Sequence, residues 1–574
     1  MLTPLSHYLQ NNQAPSEYET HEIKALRAIP LKEISIIDVE IKKIEGILNS
    51  LKRKRAHIQE SIDDFNTILA PVRRLSTDVL GVIFKHCLAT HRNSVMSASE
   101  APILLTQICH DWRSIALSIP RLWSRLYIPT MGRTISYRPE DLPYVLEGEL
   151  RMKARTEEVQ RWLKLSAASP LAITIMPAGD SVSHPQILDS VIQSSRRLQQ
   201  LELGFHSPES YVLTRLLSLS PDDLCMLREL RIHSLNSILN PHTQEVQEDS
   251  WYQSGLLTAQ GLRSISIANM RTNAFPAGIP PNWKNLNRLF IHSPILLRLA
   301  HSMLSCCHLV ACLLEIAVPW DGTILNASTT LSPCILPYLT FLSLQGNPTG
   351  CSKLFSSIEA PSLQILDYQG DFPSDSSEEF GLLNLLQNIN SLKTLRVDHR
   401  RFTESYLLKY SLLIPSVTHL VLGRSSKQSY RHFAPHNPSY PFPKPVGLMT
   451  TLHETRHQYS PDSAPTVLFP SLEIFEAYGI SDVTDIMLLE FIKARIDATK
   501  SNAGVSKLRK VLVDFSGSRQ TDIVPEALAY AQAAGIELEL DLTYHIGRKP
   551  GATWSPSFGL SPDDVSWIYP SYDY

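Results

Sequence analysis

The sequence predicts an α/β solenoid: an irregular array of parallel β-strands with helices on the convex side, preceded by a small all-α module and an N-terminal coiled-coil helix. Three patterns predict it. Triplets of the form Leu-x-x-Leu-x-Leu return at short intervals from Leu198 to Val513. Apolar residues alternate three and four apart from Ile34 to Leu69. Between these regions, at 70–124, two short segments carry apolar residues at the spacing of one helical face.

Residues 1–31 are polar and contain prolines, which predicts a disordered lead. Over 32–69 the seam residues are Ile34, Ile37, Ile41, Ile44, Leu48, Leu51, Arg55, Ile58, Ile62, Phe65 and Leu69. Arg55 alone is not apolar, and charged residues fill the flanks, as in KKIE and LKRKR. That is a coiled-coil pattern. A helix of ~36 residues spans ~54 Å, so its stripe must be covered along that length. A second copy of the chain can do this through 34–69, or the helix can fold back on its own domain.

The segment 70–130 reads APVRRLSTDVLGVIFKHCL, a polar spacer, then APILLTQICHDWRSIALSIPRLW. Val79, Leu80, Ile83, Phe84, Cys87 and Leu88 share one face of a first helix, which Ser76 or Thr77 can cap. Leu104, Leu105, Ile108, Cys109, Trp112, Ile115 and Ala116 do the same in a second, with Pro102 tolerated in its first turn. Two helices this short cannot cover both of their apolar faces by themselves.

The arrangement resembles an F-box. It has the Pro and Leu lead-in (Pro71, Leu75), a Leu-x-x-Ile-Phe core (Leu80, Ile83, Phe84), Cys-x-x-Trp-Arg (Cys109, Trp112, Arg113) and Leu-Trp (Leu122, Trp123). It departs from many family members in the length of its spacer, ATHRNSVMSASE. The resemblance implies docking on the Skp adaptor of SCF ubiquitin ligases. The residues it assigns to that contact are Pro71, Leu75, Val79, Leu80, Ile83, Phe84, Leu105, Trp112, Leu122 and Trp123. Among these, Trp112 and Trp123 are expected to brace the helix pair while the Leu80, Ile83 and Phe84 side faces the adaptor.

A charged helical stretch with Val159, Trp162 and Leu163 on its apolar side leads into the repeats, which are expected to occupy 131–545. Triplets begin at Leu198, Leu227, Leu262, Leu286, Leu309, Leu339, Leu363, Leu392 and Val417, with weaker copies at Leu472 and Leu508. LAITI (171–175) and GIELELDL (535–542) read as strands at the two ends. Most intervals lie in or near the ~20–29 residues of leucine-rich repeats. In each triplet the last two leucines point the same way from one strand, and the first anchors the preceding turn. Stacked copies therefore make a parallel sheet with one buried side. Segments such as PQILDSVIQSSRRL and EEFGLLNLLQNI supply the helical layer, and Pro337, Pro361, Pro415 and Pro470 stand just before strands. Asparagine is mostly missing from its usual ladder position, so the array is expected to be irregular. A Pro-, Ser-, His- and Tyr-rich loop is expected at 423–469 and a separate tail at 546–574.

Composition excludes more than it names. With 43% hydrophobic residues, 19% charged and a net charge of −3, the chain reads as globular and soluble. Nothing in that charge calls for nucleic acid or an anionic membrane. The N-terminal stretch does not read as a signal peptide, and no apolar run reaches ~18 residues. Eight cysteines without a Cys-x-x-Cys pair, most of them in apolar runs, read as small buried thiols of a reducing compartment. His453-Glu454-Thr455-Arg456-His457 matches a zinc-protease helix in form. Arg456 would set a cation beside the metal and Pro461 would stop the helix, so no metal role is expected there. Asp371, Asp375, Glu378 and Glu379 read as an ordinary acidic helix start.

Taken together, the coiled coil, the F-box-like unit and the degenerate repeats look like the expanded F-box proteins of mushroom-forming fungi. The resemblance implies the substrate-recognition subunit of an SCF-type ubiquitin ligase in the cytoplasm or nucleus, presenting an unknown protein target. No catalytic residue, cofactor or metal is expected, because the chemistry belongs to other subunits. The alternative from another class is a solenoid scaffold, without ligase function, assembled through the coiled coil.

Overall fold

The computed structural model describes residues 8, 13–131, 142–178, 185–205, 211–234, 254–268, 280–305, 308–317, 331–370, 380–398, 404–423, 467–480, 483–501, 504–515 and 518–544. The chain divides into two units, Met1–Leu80 and Gly81–Tyr574.

The first unit is dominated by one helix, α1 (Glu17–Leu69). The expected disordered lead over 1–31 is therefore corrected from Glu17 onward. Ser16 and Glu19 form a capping box: the Glu19 N–H donates to Ser16 Oγ at 3.4 Å and the Ser16 N–H to Glu19 Oε2 at 2.9 Å. The following residues are mostly Glu, Lys, Ala, Leu, Ile and Arg, and most of these hold a helix whether or not they are polar. Pro30 sits inside α1, which buries none of its residues.

The helix α2 (Thr77–His86) carries the division between the units. Beyond it the second unit continues with α3 (Leu105–Ile108), α4 (His110–Ser118), a single turn at Pro120–Trp123, the strand β1 (Arg125–Met131) and the helix α5 (Leu142–Leu165). Fifteen more strands follow: β2 (Leu171–Ala178), β3 (Leu198–Phe205), β4 (Glu229–Ser234), β5 (Ser264–Ala268), β6 (Arg288–Ile295), β7 (Ala311–Ile316), β8 (Cys334–Ile335), β9 (Phe341–Gly346), β10 (Ile358–Glu359), β11 (Ile365–Gly370), β12 (Thr394–Val397), β13 (His419–Leu422), β14 (Ile474–Ile480), β15 (Lys510–Phe515) and β16 (Glu539–Tyr544).

All strands except the short pair β8 and β10 form one 14-stranded parallel sheet, ordered as in the chain. Helices such as Pro185–Gln193, Leu297–Leu304 and Asp485–Ser501 fill the intervals. This is the α/β architecture expected, with the triplets where the alternation places them. Their second residues align across strands as Leu201, Leu230, Ile265 and Leu289, and their third as Leu203, Ile232, Ile267 and Ile291. Both rows are buried, and so are the first residues, Leu198, Leu227, Leu262 and Leu286. Each such side chain contributes about 1.5–3 kcal/mol by leaving water.

A backbone ladder continues beneath each turn. The Arg263 and Ser264 N–H groups both donate to Arg228 O, those of Asn287 and Arg288 to Arg263 O, and the pattern persists to Arg509 and Lys510 on Glu473 O. The ladder needs no side-chain asparagine. Register shifts remain at Leu171/Ala172, Ile291/Pro294 and Tyr478/Ile480.

Most of the loop expected at 423–469, and the tail from 546, lie outside the described residues. The last residues of that loop are core: Leu468 and Phe469 are buried just before β14, with Phe469 at φ 48°. Strand β1 was not foreseen. Leu126 and Ile128 nonetheless pair in register with Ile173 and Ile175 and are buried.

Candidate functional site

The segment expected to dock a partner folds as short helices on an aromatic interior. Phe84 is fully buried, its ring 4.8 Å from that of Trp112. Trp123 is buried, donates its indole N–H to Ala116 O at 2.9 Å and meets Trp162 of α5 edge-on at 4.9 Å. The single second helix expected from 102 to 118 is broken at Cys109, which is extended. Cys109 Sγ accepts the Trp112 N–H and so caps α4, while the Arg113 Nε–H satisfies Thr106 O at the end of α3, at 2.7 Å. Side-chain partners at both broken ends make the interruption tolerable.

The structure sorts the ten expected docking residues. Leu80, Phe84, Leu105, Leu122 and Trp123 are buried, Trp123 as the expected brace of the helix pair. Their packing holds the helical unit together. Pro71, Leu75, Val79 and Ile83 are exposed and Trp112 is half-buried. The periodicity of α2 puts Val79, Val82 and Ile83 on one face, opposite in role to Leu80 and Phe84. Val82 is 52% and Ile83 37% exposed, and Leu104, just before α3, and Ile108, its last residue, are 41% and 53% exposed. Val82, Leu104 and Ile108 were not among the expected docking residues. The signal that marks them is apolar character off the buried face, which needs the helix phase to read.

The long spacer at 89–100 has a structural role in the second unit. Val95 makes a parallel bridge with Tyr127, and the Tyr127 N–H donates to Ser94 O at 2.8 Å, so the spacer covers the free edge of β1. Arg92 holds both oxygens of Glu100 at 2.7 Å. Arg125 donates to Asn93 Oδ1, Ala89 O and Arg92 O, and Asn93 Nδ2 donates to Thr174 Oγ1 at 2.9 Å.

These groups open onto a cleft of about 240 Å³ at the start of the sheet, lined in part by Arg92, Arg125, Tyr127, Glu202, Glu229 and Arg231. Burial pushes the Glu202 carboxyl up, against the pull of Arg231 and the hydrogen bond from Thr174. Burial, with Arg231 nearby, pulls the Arg125 guanidinium down. The cleft sets carboxyl groups beside guanidinium groups. Sequence reasoning missed it, although aligned triplets place Glu202 and Arg231 side by side between their leucines.

Of the other singled-out residues, His453, His457, Asp371, Asp375, Glu378 and Glu379 lie outside the described residues. Among the described cysteines, Cys312, Cys334 and Cys351 are buried and Cys87, Cys109 and Cys225 exposed, so thiol burial holds for only half of them.

No family model matches this chain, and no curated protein matches it. Among solved structures, a crystal structure of a Rad7 and Elc1 complex in yeast resembles it at 13% identity, covering 76% of this chain and 92% of that one, with a TM-score of 0.34. A likeness that loose carries no argument about what this chain does.

Proposed function

We propose that this chain is the substrate-recognition subunit of an SCF-type ubiquitin ligase, its helical unit an F-box that docks on a Skp-type adaptor and its sheet array the surface that holds a protein target. The observation that carries the reading is the division of labour in the helical unit. Aromatic residues occupy its interior, while Val82, Ile83, Leu104 and Ile108 stay exposed. Apolar side chains left exposed on so small a unit are what a docking surface requires. Covering each contributes about 1.5–3 kcal/mol before the cost of association. In this reading the chain has no catalytic residue of its own, works in the cytoplasm or nucleus, and acts by holding the target close to an enzyme that others supply.

The test is co-purification of the full chain with a fungal Skp adaptor. Val82→Asp with Ile83→Asp is expected to abolish binding without changing the far-UV circular dichroism. Phe84→Ala, which empties a buried site, is expected to cost about 3–5 kcal/mol of stability. A folded wild-type chain that binds no adaptor would sink the ligase reading and leave the scaffold in front.

A further inference from the structure

We infer that α1 is the contact surface for a second copy of this chain, and that the two helices pair antiparallel with Glu45 of each against Lys52 of the other. The seam residues are unpartnered in the first unit: Ile37 is 54%, Ile44 64%, Leu51 58% and Phe65 64% exposed. With Ile34 at the heptad position a and Ile37 at d, the flanking e positions hold Asp38, Glu45, Lys52 and Gln59. The g positions hold Glu33, Glu40, Ile47, Lys54 and Ser61. These flanks decide orientation.

A parallel, in-register pair sets each g residue against the following e residue of the other copy. Glu33 then faces Asp38 and Glu40 faces Glu45, each twice by symmetry. Acid meets acid throughout the first half, and the lysines meet no acid at all. An antiparallel pair opposes e to e and g to g. With its two-fold axis between Asn49 and Ser50, the seam closes in layers Ile34–Phe65, Ile37–Ile62, Ile41–Ile58, Leu48–Leu51 and Ile44–Arg55. In that register Glu45 meets Lys52 twice, Asp38 meets Gln59 and Glu40 meets Ser61, with no like-charge pair. Arg55 falls opposite Ile44, whose next residue is Glu45. The one polar residue of the seam thus finds an acid in this pairing. The acidic first half and basic second half of the flank are therefore complementary to themselves only when reversed.

Sedimentation equilibrium of the full chain tests both parts. The expected result is a monomer–dimer equilibrium that Leu48→Asp with Leu51→Asp abolishes. Glu45→Lys is expected to raise the dimer Kd about tenfold, since two attractive pairs become repulsive. Adding Lys52→Glu to it is expected to restore the Kd to within about threefold. Parallel pairing gives the opposite sign, because Lys at 45 would face Glu40 and tighten the dimer. Tightening, a monomer at all concentrations, a stoichiometry other than two, or a dimer indifferent to the Leu48 and Leu51 changes would each overturn the inference.

Discussion

Replacing Arg495 tests how the sheet resumes after its longest interval. Arg495 is buried in the helix Asp485–Ser501, and its guanidinium donates to Leu468 O at 3.0 Å and Leu472 O at 3.2 Å, while Nε has no partner. These carbonyls flank the turn that leads into β14. Burial pulls the guanidinium down to about 10 from its ordinary 12.5, which corresponds to about 3 kcal/mol spent holding the charge there. Against that stand two charge-assisted hydrogen bonds of about 1.5–3 kcal/mol each. Arg495→Met keeps the stem, removes the desolvation cost and orphans both carbonyls, so it is expected to destabilise by about 0–3 kcal/mol. Arg495→Ala also strips the methylenes, at ~0.8 kcal/mol each, and is expected to cost about 2 kcal/mol more than Met. Hydrogen exchange of the β14 amides, compared with those of β4, would localise the loss. An Arg495→Met chain more stable than wild type would show that desolvation outweighs the hydrogen bonds and refute the anchoring role.

Two glycines should respond with opposite signs. Gly346 adopts φ 106° and an added Cβ would collide with the Ile316 carbonyl oxygen, so Gly346→Ala is expected to lower stability by about 1–3 kcal/mol in denaturant unfolding. Gly46 lies in α1, where a Cβ meets nothing within 4 Å, so Gly46→Ala should raise helix stability by about 0.5–1 kcal/mol. Stability should also fall in acid through Asp485. Burial pushes its carboxyl up, but the Tyr544 hydroxyl and the Thr521 and Gln520 N–H groups outweigh that and hold it below the usual carboxylate range. A depressed folded-state value means that its contribution is present above pH ~4 and lost as pH falls further. Asp485→Asn should flatten the acid limb of the stability–pH curve, and an unchanged limb would remove Asp485 from that account.

The sheet was legible because its signal is local. A strand alternates with period two, so Leu201 and Leu203 must share a face wherever the strand lies, and the in-register pairing of successive copies stacks those faces. The long helix was legible for the same reason, with a period of three and four. Its start at Glu17 was missed because polarity was read as disorder, although Ser16 and Glu19 spell a capping box. The site was less legible. Ile83 and Phe84 are adjacent, apolar and helical, yet Phe84 is sealed against Trp112 and Ile83 is open.

By itself, then, the sequence determined which residues must leave water and with what period: the leucine triplets, the heptad and the two apolar segments of 70–124. Only the tertiary structure decided what covers each of them. It turned the spacer at 89–100 into the cover of a sheet edge, gathered Arg125, Glu202 and Arg231 around one cleft, and set Arg495 under a turn more than 20 residues away. Apolar patterning is a property of neighbours along the chain, whereas these contacts join residues far apart in sequence, and their geometry exists only once the chain is packed.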